Sequence, residues 1–115
     1  MTHGLKGERT LMRIFIGERD KQEGKPLYEA LIELFRARGL PGTTVLRGIA
    51  GFGAHARVHT DKILRLSLDL PIVVEVVADE EQIQAVLPEL DELIDGGLIT
   101  LERARVILYR PHDEA

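Results

Sequence analysis

The sequence predicts an α+β domain in which two helices cover one face of a four-stranded antiparallel sheet. Three observations predict it. Segments of alternating apolar and polar residues, or of β-branched residues, mark four strands, and two stripes at helical spacing mark two helices. These six segments run strand, helix, strand, strand, helix, strand, which is the ferredoxin-like βαββαβ order. At 115 residues the chain has room for one such domain with a single core.

The first strand is expected over Thr10 to Gly17, where Met12, Ile14 and Ile16 alternate with Leu11, Arg13 and Phe15. Glu18 to Lys25 is charged and reads as a loop, after which Pro26 suits the first position of a helix. Leu27, Leu31, Leu34 and Phe35 carry that helix as far as Gly39. Pro41 and Gly42 turn the chain into a second strand over Thr43 to Ala50. No periodicity survives from Gly51 to Asp69, a length at which loops are usually functional or disordered. Pro71 to Ala78 forms the third strand. Asp79 and Gln82 make a capping-box pattern for a second helix, in which Pro88 predicts a kink or an early break. Gly96 and Gly97 end it, and Leu98 to Tyr109 supplies the last strand, in one piece or two. The expected layout is an N-terminal tail over 1–9, the domain over 10–110 and a C-terminal tail over 111–115.

Two helices can cover only one face of the sheet, yet the strands are apolar on both. Leu11 and Phe15 back onto Ile14 and Ile16, and Val73 and Val77 back onto Ile72, Val74 and Val76. The second face therefore requires a cover, which a sister chain can supply. Arg13, Arg47 and Glu75 would stand among apolar neighbours, where pairing makes charges tolerable and lets them fix an interface; at strand edges they would simply reach solvent. Arg13, Phe15 and Glu75 are the interface candidates.

The composition narrows the functional classes. No cysteine means no disulfide framework, thiolate metal site or cysteine nucleophile, and fits a cytoplasmic setting. The longest apolar run is far short of the roughly 20 residues of a membrane helix, so the protein is not expected to be membrane-embedded. A net charge of −4 argues against nucleic acid as a partner. The one serine, Ser67, lacks the context of a catalytic nucleophile, so no catalytic residue and no enzyme activity are expected.

The segment Arg47-Gly48-Ile49-Ala50-Gly51-Phe52-Gly53 is the strongest ligand-binding candidate. Its glycines leave backbone amides open to close approach by an anion or a base, although a bulged strand end would use the same residues. His55, Arg57, His59, Lys62 and Arg65 follow with Asp61 as the only acid among them, a set of cations able to attract phosphate from a mobile loop. Two histidines without a carboxylate at a set spacing make a poor metal site, and no metal is expected.

The runs Gly39-Leu40-Pro41-Gly42-Thr43-Thr44-Val45, Gly51-Phe52-Gly53 and Leu70-Pro71 to Val77 resemble the PII signalling proteins. Ile16-Gly17-Glu18, Gly24 to Tyr28, Arg47 to Gly53 and Asp69-Leu70-Pro71 bring the chain closer to a PII-like family catalogued as a domain of unknown function, DUF190. The resemblance spans Leu11 to Ile107. It implies a homotrimer with inward-packed sheets, an adenine nucleotide in each intersubunit cleft, and a loop that reports the ligand to a target protein such as a transporter, channel or enzyme. Carried over by motif, the nucleotide-binding candidates are Thr44, Arg47, Gly48, Gly51, Phe52 and Gly53 on one side and Gly96, Gly97 and Arg110 on the other. PII proteins carry a lysine after the second helix and two alternating arginines in the last strand; here Leu98 and Ile99 follow the glycines, and Leu108 stands beside Arg110. Fewer cations favour AMP or ADP over ATP as the effector. The tyrosine modified in some PII loops has no counterpart between Phe52 and Asp69. A metal-binding trimer of the same architecture, resembling the CutA group, is the alternative.

Overall fold

The computed structural model describes residues 6–53 and 69–112. Its elements are β1 (Gly7–Gly17), β2 (Lys21–Gln22), β3 (Lys25–Pro26), α1 (Leu27–Ala37), β4 (Thr44–Arg47), β5 (Pro71–Ala78), α2 (Glu80–Leu93) and β6 (Leu98–Val106). The main sheet is antiparallel with strand order β4-β5-β1-β6, and its long central strand β1 pairs on either side with β5 and β6. The ferredoxin-like α+β arrangement expected from the sequence is the one observed.

Period two along β1 and β5 separates the sheet into two unlike faces. Met12, Ile14, Ile16, Ile72, Val74, Val76 and Ala78 are buried beneath the helices. From the other side Leu27, Leu31 and Phe35 of α1 and Ile83, Val86 and Leu90 of α2 close the core. The helices are tied to each other at their surface. Arg38 grips Glu89 through two guanidinium nitrogens, Nε at 2.9 Å from Oε1, and the Gln82 amide donates to the Gly39 carbonyl at 3.3 Å.

Several local expectations change. β1 starts at Gly7 rather than Thr10, because Gly7, Glu8 and Arg9 pair with Val106, Arg105 and Ala104, a partnership that no apolar pattern in Gly7-Glu8-Arg9 announces. The charged segment after β1 is a small ribbon instead of a plain loop. Glu23 (φ 49°) and Gly24 (φ 85°) form its two-residue turn, with both central residues in the left-handed region that a tight hairpin requires. Pro26 belongs to that ribbon and caps α1 from outside in extended conformation, one position earlier than expected. β4 is shorter than expected, since the chain leaves the ladder after Arg47.

Pro88 neither breaks nor ends α2, which runs through to Leu93. Pro88 and Gln84, whose carbonyl loses its donor, both lie on the exposed side, where solvent can take the place of the missing bond. The Asp79–Gln82 capping box is present as expected, with the Asp79 amide donating to Gln82 Oε1 at 3.3 Å. β6 is a single strand that stops at Val106, three residues short of Tyr109.

The register arranges the helix-free face into cross-strand rows. Leu46, Val73, Phe15 and Leu98 form one apolar row, and Leu98 is 56% exposed. The next row is polar throughout: Thr44, Glu75, Arg13 and Thr100. Beyond it lie Val77, Leu11 and Glu102. Arg13 Nε donates to Glu75 Oε2 at 2.9 Å, and its Nη1 reaches Glu102 Oε2 at 2.6 Å. These bonds and the nearby carboxylates raise the Arg13 pKa, with the Glu75 bond the largest cause. Arg13 and Glu75 are thus mutual partners in mid-sheet, whereas Arg47 sits at the strand end and pairs with Glu18 at 2.6 Å.

Candidate functional site

Two concave regions lie at opposite ends of the sheet. The first, of about 480 Å³, falls within the roughly 300–1,000 Å³ of small-molecule sites. Pro41 to Thr43, the connection from α1, form one wall, and Thr44 continues it. Leu11, Glu75 and Val77 of the helix-free face make the floor. Val106, Leu108 and Tyr109 close the far side, because the chain beyond β6 folds back across the sheet end and the Tyr109 hydroxyl donates to the Pro41 carbonyl at 3.4 Å. The walls are largely apolar, and Glu75 is the one charged group in the lining. Such a lining suits a flat, donor-bearing ring system better than a polyanion.

The second region, of about 110 Å³, lies at the base of the long loop and is lined by Phe15, Ile16, Gly17, Gly51, Phe52, Gly53, Asp69 and Pro71. Local packing explains two glycines beside it. The Gly48 amide donates to the Pro71 carbonyl at 2.7 Å, and a Cβ at Gly48 would meet Pro71 Cγ at 2.9 Å. At Gly97 a Cβ would stand 2.6 Å from the Phe15 backbone oxygen, so the turn before β6 can sit against the end of β1 only without a side chain. The turn after β1 is laced to the same place. The Glu18 amide donates to the Leu70 carbonyl at 2.8 Å and the Arg19 amide to Asp69 Oδ1 at 3.1 Å. Asp20 Oδ2 accepts from the Gly17 amide at 3.0 Å.

The sequence candidates therefore divide. Gly51, Phe52 and Gly53 line the loop-base pocket, with Phe52 71% exposed, and Gly97 packs on Phe15, whose ring side borders the same pocket. Thr44 belongs to the other pocket. Arg47 is held by Glu18, and Gly48 is explained by Pro71. Gly96 and Arg110 line neither pocket, and Arg110 follows the strap at the end remote from the loop base. His55, Arg57, His59, Lys62 and Arg65 lie outside the described residues. Among the described residues no group of three or more histidine or acidic side chains is placed to hold a metal, and no helix is long and apolar enough to cross a membrane. Sequence reasoning missed Leu11, Pro41, Thr43, Val77, Leu108 and Tyr109 as pocket walls. The Pro41-Gly42-Thr43-Thr44 turn was visible, but the fold-back of the last strand that completes the pocket has no periodic signal.

A family model described as "Uncharacterized ACR", DUF190, matches residues 9–106. The chain belongs to the DUF190 family. A UPF0166 protein of Aquifex aeolicus is 43% identical over 100 residues, covering 87% of this chain and 94% of that protein. A UPF0166 protein of Methanocaldococcus jannaschii is 38% identical over 97 residues, covering 84% and 89%. Among solved structures, CPII from Thiomonas intermedia K12, bound to ADP, AMP and acetate, superposes with a TM-score of 0.64 at 16% identity. The superposition covers 87% of this chain and 89% of CPII. The fold of this DUF190 chain is accordingly PII-like.

Proposed function

We propose that this DUF190 protein is a cytoplasmic, non-enzymatic PII-like regulator. It binds an adenine nucleotide, AMP or ADP in preference to ATP, in clefts between the chains of a homotrimer. The segment 51–69 reports the ligand to a target protein, a transporter, channel or enzyme. The observation that carries this reading is the division of the candidate residues between two ends of one chain. Thr44 and the roomy pocket lie at one end, and the glycine segments Gly51–Gly53 and Gly96–Gly97 lie at the other. A ligand can meet both sets only where two chains abut, and the apolar rows of the helix-free face, Leu46–Val73–Phe15–Leu98 above all, supply the surface for abutting.

Charge supports the choice of nucleotide. Around the loop base the described residues offer three acids, Asp69, Glu18 and Asp20, against two cations, Arg19 and Arg47, the second of which Glu18 already engages. Each added phosphate would need further cations, and among the described residues the acids at this end outnumber them. The ADP- and AMP-bound state of CPII, a protein of like fold, is consistent with the same ligand class.

Native mass spectrometry of protein purified from cells, followed by calorimetric titration with AMP, ADP and ATP, tests the proposal. A trimer that takes up AMP or ADP more tightly than ATP is expected. A monomer at tens of micromolar, or no heat with any of the three at millimolar concentration, overturns it.

A further inference from the structure

Glu75 occupies an unusual position: it belongs at once to the floor of the 480 Å³ pocket and to the polar row that crosses the helix-free face. On one side its register partner is Thr44, another pocket residue, and on the other it is Arg13, which lines no pocket. The guanidinium takes one carboxylate oxygen, Oε2, at 2.9 Å. Among the described residues the other oxygen, Oε1, has no hydrogen-bond partner. Arg13 is itself held from the far side by Glu102 at 2.6 Å, so it cannot swing away without losing two charged contacts.

From this geometry we infer that Glu75 is the specificity-determining acceptor of the pocket, taking a hydrogen bond on Oε1 from an N–H or O–H donor of the bound nucleoside, and that Arg13 is the positioning residue that aims it. The inference rests on the nucleotide reading above and adds which atoms discriminate. An ionised carboxylate only accepts, so the pocket selects ligands that present a donor at this spot and disfavours those presenting a lone pair. Leu11, Val77 and Leu108 line the pocket beside it, so a ligand seated there displaces water from the carboxylate and leaves an unmatched group costly. The rigid fork of Arg13 spends its ordering on the protein side before any ligand arrives.

The donor has two possible sources in an adenine nucleotide, the exocyclic amino group and the ribose 2′-hydroxyl. Affinities of the full-length protein for AMP, 2′-deoxy-AMP and inosine monophosphate separate them. One of the two analogues is expected to bind about tenfold to a hundredfold more weakly than AMP, the cost of losing a hydrogen bond to a charged group. That penalty should vanish in Glu75→Gln. Arg13→Gln should weaken AMP binding about tenfold, Arg13→Lys should restore part of it, and Arg13→Gln combined with Glu75→Gln should bind no worse than Glu75→Gln alone. Native mass spectra of each variant confirm that the assembly is kept. If Arg13→Gln does not fold, Arg13→Lys with the analogue series carries the test, since loss of the fork should shrink the penalty.

Equal binding of all three nucleotides to the wild type overturns the inference while leaving the nucleotide reading intact. Additive losses from Arg13→Gln and Glu75→Gln overturn the positioning role of Arg13. No binding of any of the three to the wild type at millimolar concentration removes the nucleotide reading and the inference with it.

Discussion

The two faces of the sheet are built from the same strands and nearly the same residue types, yet they do different work. The covered face is apolar through its centre, where Met12, Ile14, Val74 and Val76 are all buried against α1 and α2, with the buried Thr10 at its edge bonded to Glu80. The open face has the apolar content of a core but interrupts it with one complete polar row, Thr44–Glu75–Arg13–Thr100. A core that serves only stability has no use for charges in mid-strand, because desolvating them can cost more than their attraction returns. A face that meets a sister chain in one register and lines a binding pocket, as proposed above, has a use for them. The contrast separates a surface built for packing from one that the proposed function assigns to recognition.

The largest expected effect lies on the covered side. Phe35→Ala removes a fully buried ring from the last turn of α1 and should lower stability by about 3–5 kcal/mol in urea unfolding. A loss under 1 kcal/mol would mean that the core is not organised around this helix. Next comes the open face, where Phe15→Asp is expected to leave the far-UV circular dichroism spectrum unchanged and to convert a trimer into monomers in native mass spectra. A trimer that survives this substitution would put the interface on another surface.

A smaller effect is expected where the faces meet at the sheet end. Gly97→Ala places a methyl group against the Phe15 carbonyl oxygen and should cost about 1–3 kcal/mol by displacing the turn. Gly53→Ala, with open space around the site, should leave the unfolding midpoint nearly unchanged. The smallest effect is electrostatic. Thr10, then Gln84, hydrogen-bond the Glu80 carboxylate and hold its pKa below 4.5, while Arg38 does the same for Glu89. A carboxylate depressed in the folded state adds stability above its unfolded pKa, and that contribution is lost as pH falls through the folded value. Urea midpoints of Glu80→Gln and Glu89→Gln should therefore lie slightly below wild type at pH 7 and converge with it near pH 3. Differences that persist at pH 3 would assign the effect to packing.

Much of the fold was legible because its signals are local. The Val- and Ile-rich run of Pro71 to Ala78 and the Asp79–Gln82 capping box predicted β5 and the start of α2 to the residue. The two-sided apolar strands predicted the open face, though only the register could show that Arg13 and Glu75 stand side by side. The β2–β3 ribbon was hidden, since Glu23-Gly24 is a weaker hairpin signal than Asn-Gly and the flanking residues are charged. The site was less legible still. Its glycines carry two explanations in sequence and several resolve into packing, while the pocket wall at Leu108 and Tyr109 depends on a fold-back fixed by one long-range contact to Pro41.

The β2–β3 ribbon carries a practical consequence. Its hairpin tip at Glu23-Gly24 lines neither pocket, its base is closed by the Leu27 amide on the Asp20 carbonyl at 2.8 Å, and the Arg19 amide ties the turn before it to Asp69. A fluorophore or short epitope grafted at that tip would report strain arriving through Asp69 without obstructing either cavity. The molecule thus comes with its own handle.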